Sequence, residues 1–275
     1  MNRRWLYRTG LPASGMAITI LYFFPIYWMY VSSLKSPREL FADPPTFFPH
    51  QLWLDAYETI IARGTIPTYI ANSFFLAGTS TLVTMVLAVA TGYGMSRIRS
   101  RWVEVALILV MLSQVLPPAL MVTPIYIMFR QLNLVGTYQG AILAFITREL
   151  PFAIIMVRPI FLQIPTEIEE AARVDGCSRL SALYRIILPG ARTGIAVVSL
   201  LVFMMAYGDY VYSAALLQRV TMQPATVGLY GEIGTEQSDW NIIMAFAALF
   251  VTPILVLFVS MQRLVVKGLM SGSIK

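Results

Sequence analysis

The chain contains six apolar blocks, each about as long as a helix that crosses a bilayer, which takes roughly 20 residues. The blocks cover residues 14–31, 69–93, 103–122, 138–160, 194–217 and 242–264. In lipid, each backbone amide must find a partner within its own segment, and the blocks lack the alternation of membrane-spanning strands. We therefore predict an all-α, polytopic membrane protein with six spans and a single transmembrane domain over residues 1–275.

The composition agrees with this class, because 57% of the residues are hydrophobic and only 12% are charged, whereas a soluble domain carries about 25% charged residues. A removable signal peptide is the alternative for the first block, which follows Arg3, Arg4 and Arg8. The block is longer than the apolar region of a usual signal peptide, and residues 32–35 do not form a small-residue cleavage site. We interpret it as a retained span.

The distribution of basic residues predicts the orientation, since Lys and Arg concentrate in cytoplasmic loops. One side of the predicted topology holds fourteen of them, including those of both termini and of the loop at residues 163–192. The other side holds five, which are Lys35, Arg38, Arg63, Arg130 and Arg219. Both termini and that loop are therefore expected in the cytoplasm.

Several kinds of chemistry are absent from the sequence. With one cysteine, Cys177, and one histidine, His50, the chain has neither an intrachain disulfide nor a His/Cys metal cluster. No lysine lies in the G-x4-G-K-[ST] pattern of an ATP-binding P-loop, and no basic stripe with aromatics indicates nucleic-acid binding. We expect no bound cofactor, no metal and no catalytic residue, and we interpret His50 as a solvated loop histidine.

Prolines predict where the regular structure breaks. Residues 53–61 lie between Pro-rich segments and can form a short amphipathic helix with Trp53 at the membrane interface. Pro117-Pro118 is expected to break or kink the third block and to leave residues 119–131 as a separate short helix.

The loop at residues 163–192 predicts two short helices joined by a turn. Thr166 and Glu169 fit a capping box that starts a helix at Glu167, and Gly176 supplies a left-handed stop. A second helix is expected from about Arg179 to a point before Pro189. The expected faces are Ile168, Ala171, Ala172 and Asp175 on the first helix, and Leu180, Leu183, Tyr184 and Ile187 on the second.

This pair of helices has the residue types of a docking surface. Two adjacent alanines, Ala171 and Ala172, let a partner approach closely, and the Glu170 carboxylate offers one charged bond. The alternative is that Glu170 is a solvated acid that pairs with Arg173 at i+3.

The loop resembles the EAA loop of permeases of binding-protein-dependent ABC importers, E-A-A-x3-G-x9-I-x-L-P, through Glu170, Ala171, Ala172, Gly176, Ile186, Leu188 and Pro189. Further elements resemble the maltose-type sugar permeases, namely Ser33 to Lys35 with Glu39, Asn72-Ser73, Tyr93 with Arg97, Leu134 with Thr137, and Gln262-Arg263 with Lys267 to Leu269.

The resemblance implies a six-helix permease subunit of the bacterial cytoplasmic (inner) membrane that imports a sugar or sugar-like solute. It implies a second, similar permease, a dimeric cytoplasmic ATPase that uses ATP and Mg, and an external solute-binding protein as partners. Residues 170–176, with Asp175, Leu188 and Pro189, would couple the chain to the ATPase, and the tail at residues 271–275 would reach toward it. The chain itself would be no enzyme.

Two places depart from the family pattern, and both carry polar groups within predicted spans. The fourth span contains Arg148-Glu149, and the fifth contains Tyr207-Gly208-Asp209-Tyr210 where relatives have W-N-D/E-F. Charged groups at membrane depth are costly and face protein or water. We therefore take these residues and Gln114 as candidates for the substrate pathway, with structural contacts between helices as the alternative.

Charge and aromatic character suggest what these candidates would do. If Arg148 lines the path, an anionic sugar derivative becomes a candidate substrate. Tyr207 and Tyr210 would stack on a sugar face while Asp209 accepts from its hydroxyls, although aromatic stripes also serve packing. A secondary transporter coupled to ions through Arg148, Glu149 and Asp209 is the alternative function, and a membrane-embedded enzyme is a third class.

Overall fold

The computed structural model describes residues 11–233 and 239–271, and within these ranges all regular elements are helical. The all-α prediction is thereby confirmed. The N-terminal basic residues Arg3, Arg4 and Arg8, and residues 272–275 of the tail, lie outside the described residues.

The described residues contain thirteen α-helices. In chain order they are α1 (Leu11–Ser33), α2 (Pro37–Leu40), α3 (Asp55–Ala62), α4 (Ile66–Arg97), α5 (Arg101–Ser113), α6 (Pro118–Gln131), α7 (Tyr138–Leu162), α8 (Thr166–Val174), α9 (Arg179–Ala182), α10 (Leu188–Tyr207), α11 (Val211–Leu216), α12 (Ala225–Ile233) and α13 (Trp240–Ser271).

Four of the six predicted blocks lie on helical stretches long and apolar enough to cross a membrane, and the fifth block overlaps such a stretch over residues 194–207. These stretches are α1, α4, α7, α13 and the run from Arg179 to Tyr207, which includes α9 and α10. A sixth crossing exists if α5 and α6 together form one broken span. The six-span count therefore stays a prediction.

The third block, 103–122, is interrupted, as its two prolines predict. Helix α5 ends at Ser113, and α6 starts at Pro118 with a bend of 96° between the two. The break predicted at Pro117-Pro118 is confirmed. Pro118 stands in the first turn of α6, where a missing N–H costs nothing, and it holds Pro117 in extended backbone.

The fifth block, 194–217, was wrong as a continuous span, because α10 ends at Tyr207 and α11 begins at Val211. The Asp209 carboxylate accepts hydrogen bonds from the backbone N–H groups of Tyr212 (3.1 Å) and Ser213 (3.0 Å). Such local side-chain bonds compete with helix continuation and start a new helix.

The described residues fold as two compact units, 11–66 with 229–233 and 239–253, and 67–228 with 254–271. In the first unit, Lys35 is buried, donates to the Thr46 carbonyl, and lies 4.6 Å from the centre of the Trp28 ring. Its own carbonyl accepts from the Asn241 amide. The short amphipathic helix predicted at 53–61 is confirmed as α3, which buries Ala56 and Ile60.

Glu39 organises the loop that follows. Its carboxylate accepts from the Thr46 hydroxyl (2.9 Å), from the His50 backbone (3.0 Å) and lies 2.8 Å from His50 Nδ1. Burial raises the pKa of Glu39, but the hydrogen bonds from His50 and Thr46 and the charge of His50 lower this pKa by more, so that it lies below its ordinary value. The His50 side chain is 75% exposed, as predicted, yet it has a partner.

The core of the second unit is formed by α4, α7 and α10. Among its buried members are Ala88 of α4, Ala153 and Val157 of α7, and Val198 and Val202 of α10. Both groups of predicted site residues lie beside this core. The loop at residues 163–192 follows the end of α7, and Arg148 lies near the middle of α7.

Candidate functional site

The loop at residues 163–192, which we call the bracket, forms two short helical elements, as predicted, but the first of them starts differently. Helix α8 begins at Thr166 after Pro165, and no side chain caps this end. The capping box of Thr166 and Glu169 was therefore wrong. Glu169 does not reach back to its own helix start because its carboxylate is held by α4.

Glu169 fastens α8 to the end of α4. One carboxylate oxygen lies 2.9 Å from Arg97 Nε, and the other accepts from the Tyr93 hydroxyl at 2.7 Å. Arg97 also donates to the carbonyls of Phe161 (3.1 Å) and Ile164 (3.4 Å). The side chains of Arg97 and Glu169 are only 15% and 11% exposed. Sequence reasoning missed this role of Glu169, although Tyr93 and Arg97 share a helix face at i, i+4 and signalled a common partner.

The turn after α8 is confirmed. Gly176 has a φ of +89°, in the left-handed region, and Asp175 is the C-cap residue. The Cys177 N–H donates to the Ala172 carbonyl (2.9 Å) and the Gly176 N–H to the Arg173 carbonyl (3.1 Å). These two bonds form a Schellman motif, which ends α8 sharply.

The second helix does not end before Pro189, so that prediction was wrong. Helix α9 passes through a π turn, Leu183–Ile187, directly into α10, where Pro189 stands in the first turn. Proline clashes with the carbonyl four residues earlier in a regular α-helix. The wider π turn, with its i→i+5 bonds, displaces that carbonyl and lets the chain continue.

The predicted faces of the two helices were only partly right. Ala172, Leu183 and Ile187 are buried, whereas Ala171 and Asp175 are exposed. Several large apolar side chains also face outward, and we call these the bracket patch: Ile168 (43% exposed), Val174 (88%), Leu180 (66%) and Tyr184 (67%). Large apolar side chains left uncovered often mark interaction sites, and contact of this patch with a partner stays a prediction.

Glu170 is exposed beside the bracket patch and makes no ion pair with Arg173 within the described part of the chain. The two neighbouring carboxylates therefore differ in direction. Glu169 binds within the subunit, and Glu170 remains available to a partner.

The second group of predicted residues meets around Arg148. Arg148 Nη1 lies 2.6 Å from Asp209 Oδ1, and the side chain of Asp209 is 1% exposed while that of Arg148 is 26% exposed. The Gln114 amide donates to the Arg148 carbonyl at 3.1 Å. Gln114 and Arg148 line a cavity of about 320 Å³, together with Thr147 and Tyr212, which sequence reasoning did not select.

Glu149 does not line this cavity, because adjacent positions on a helix point about 100° apart. It is fully buried, and neither of its carboxylate oxygens has a hydrogen-bond partner among the described residues.

The two tyrosines have different surroundings. Tyr207 is buried, with ring centres 5.3 Å from Phe74 and 5.9 Å from Phe203, which is a packing contact. Tyr210 is half-buried at the break between α10 and α11 and is not part of the cavity lining. Substrate contact by either residue stays a prediction.

Comparison with known proteins was informative for both regions. The family model of the binding-protein-dependent transport system inner membrane component matches residues 81–271. The chain is 28% identical over 270 residues to the sulfoquinovosyl glycerol transport system permease protein SmoH of Agrobacterium fabrum, covering 97% of this chain and 95% of that one. It is 28% identical over 275 residues to the diacetylchitobiose uptake system permease protein DasC of Streptomyces coelicolor, covering both chains in full.

A solved structure of a bacterial ABC transporter involved in the import of the acidic polysaccharide alginate has the same fold. The TM-score is 0.80 at 21% sequence identity, over 96% of this chain and 98% of the other. The family match includes about half of α4, all of α7 and α10, and the bracket with its Glu170–Pro189 motif. This chain belongs to the family of inner membrane components of binding-protein-dependent transport systems.

Proposed function

We propose that this chain is a permease subunit of an ATP-binding-cassette importer that carries a sugar or sugar-like solute across the bacterial cytoplasmic membrane. Family membership and the names of the two permease relatives support the class of solute. The ion-coupled alternative loses support, because Arg148 and Asp209 pair with each other and the family works with binding proteins.

The proposed topology has six spans, with α5 and α6 counted as one broken span, and both termini in the cytoplasm. The excess of basic residues on that side supports it. The proposed partners are a second, similar permease, an ATPase dimer beneath the bracket, and an external solute-binding protein. ATP and Mg are used by the ATPase.

One observation carries the coupling role. The bracket is fastened to its own subunit through Glu169 and Arg97, while Glu170 and the bracket patch face outward. The bracket would therefore pass a movement of the ATPase to α4 through Arg97, and to α10 through the continuous helix at Pro189. Glu170, Ala171, Ala172, Asp175, Gly176, Leu188 and Pro189 remain our proposed coupling residues.

The Arg148–Asp209 pair bears on the charge of the solute. Although Arg148 lines a cavity, its charge is balanced by a carboxylate at 2.6 Å. An anionic solute would have to compete with Asp209 for the guanidinium, so we favour a solute without net charge. Uptake of neutral and anionic sugars by wild type and Arg148→Met tests this. A selective loss of anionic uptake in the variant would show that we chose the wrong charge.

The complete complex in proteoliposomes tests the function. We expect uptake that needs ATP and survives collapse of the ion gradient; uptake driven by the gradient without ATP would refute the proposal. Glu170→Lys and Val174→Asp are expected to lose the co-purifying ATPase. Val220→Asp is the control, because Val220 is also an exposed valine (53%, against 88% for Val174). Its neighbour Thr221 is bonded to Asn72, which in turn bonds Tyr138 at the start of α7, away from the bracket.

A further inference from the structure

A basic cavity of about 630 Å³ lies between the start of α5 and the start of α8. Its lining includes Arg97, Arg99, Arg101 and Arg158, and the carboxylates Glu104 and Glu167. It is distinct from the bracket patch and from the cavity at Arg148.

The arginines of this cavity outnumber its carboxylates, and two of them have no partner within the described part of the subunit. Arg97 is paired with Glu169, and Arg158 donates one long bond, 3.4 Å, to the Met95 carbonyl. Arg99 and Arg101 have neither an ion pair nor a hydrogen bond from their side chains within the described residues. Two exposed guanidinium groups therefore remain available in the lining of a cavity large enough for a polar headgroup.

The α8 helix start brings backbone N–H donors to the cavity, beside the Glu167 carboxylate of its first turn. Pro165, Thr166 and Glu167 line the cavity, and no side chain caps this end of the helix. Free N–H groups and the helix dipole favour an anion at such a position.

Neighbouring apolar residues indicate at which level of the membrane the cavity lies. Trp102 is 73% exposed and Ile98 is 58% exposed, and they flank Arg99 and Arg101 in the chain. Tryptophan concentrates at the level of the lipid headgroups, and basic pockets between membrane helices bind anionic headgroups. A freely soluble anion would not need apolar groups beside its site.

We propose that this cavity binds the phosphate of an anionic phospholipid headgroup, with Arg99 and Arg101 as its main ligands and Arg158 behind them. The side of the membrane rests on the proposed topology. The binding itself does not, because whichever side the cavity faces, the leaflet on that side supplies phospholipid headgroups.

Native mass spectrometry of the whole complex tests the proposal. Phosphatidylglycerol or phosphatidylcholine is titrated into the delipidated complex, without nucleotide or solute, and the retained lipid is counted. We expect saturable retention of phosphatidylglycerol over phosphatidylcholine, and about thirtyfold weaker retention in the double variant Arg99→Gln, Arg101→Gln. Arg192→Gln removes an exposed charge outside the cavity and is expected to stay within twofold of wild type.

Two results would overturn the proposal. In one, the double variant retains phosphatidylglycerol as well as wild type does. In the other, inorganic phosphate binds in an arginine-dependent way while phosphatidylglycerol is not retained, which would assign the cavity to a soluble anion. ATP-driven uptake, measured separately, reports on the transport function, so that the two proposals fail independently.

Discussion

The ion pair between Glu169 and Arg97 is expected to decide how firmly the bracket is attached to its subunit. Replacing Glu169 by Gln keeps the shape of the side chain but removes its charge, and leaves Arg97 with carbonyl partners only. Hydrogen bonds that involve a charged group contribute about 1.5–3 kcal/mol, and breaking a fully buried pair costs about 3–5 kcal/mol. The side chains of Arg97 and Glu169 are 15% and 11% exposed, so the pair is not fully buried. We therefore expect a local cost of about 2 kcal/mol, within the range for a charged hydrogen bond and below that for a fully buried pair.

Hydrogen exchange of the α8 amides measures this cost directly, because these amides exchange when the helix opens locally. A cost of about 2 kcal/mol corresponds to roughly thirtyfold faster exchange across α8 in Glu169→Gln. A double-mutant cycle with Arg97→Met should return most of that energy as coupling between the two residues.

Glu170→Gln is the matched control, since Glu170 is the adjacent carboxylate but is exposed. It is expected to leave exchange of α8 unchanged while weakening the hold of the ATPase. Exchange less than threefold faster in Glu169→Gln, or an equal change in Glu170→Gln, would refute the division of roles between these two residues.

Three further predictions concern other parts of the chain. Glu149→Gln replaces a buried carboxyl whose oxygens lack partners among the described residues, so ATP-driven uptake should persist; its abolition would favour the ion-coupled mechanism. The lowered pKa of Glu39 means that its carboxylate stabilises the surrounding loop above the ordinary Glu pKa, and that this stability is lost as the pH falls through the lowered value. Protection factors of the loop amides, which correct for the pH dependence of intrinsic exchange, should therefore fall on acidification in wild type but show no such step in Glu39→Gln. Gly140→Ala would place a Cβ 2.2 Å from the Leu134 carbonyl oxygen. This backbone clash is expected to cost about 1–3 kcal/mol or more and to reduce the yield of folded complex on size exclusion. Gly78→Ala, whose Cβ would meet nothing within 4 Å, should leave that yield unchanged.

Patterns along the chain were sufficient for the helical class, for the positions of five membrane-length segments and for the turn at Gly176. Each depends on composition or spacing over a few residues, and such local signals survive in any packing. The break at Pro117-Pro118 was predictable for the same reason, because proline limits its own backbone and that of the residue before it.

The tertiary structure decided what each polar group does. Sequence periodicity does not show which of two adjacent glutamates turns inward; the position of Arg97, 72 residues before Glu169, selected Glu169 and left Glu170 exposed. The pair of Arg148 and Asp209, separated by 61 residues, likewise exists only because α7 packs beside the break that follows α10. The sequence by itself determined the helices and the motif of the bracket. Packing between distant segments determined which charges are paired within the subunit and which are left exposed. The physical reason is that the energy of a charge depends on what lies within a few ångströms of it.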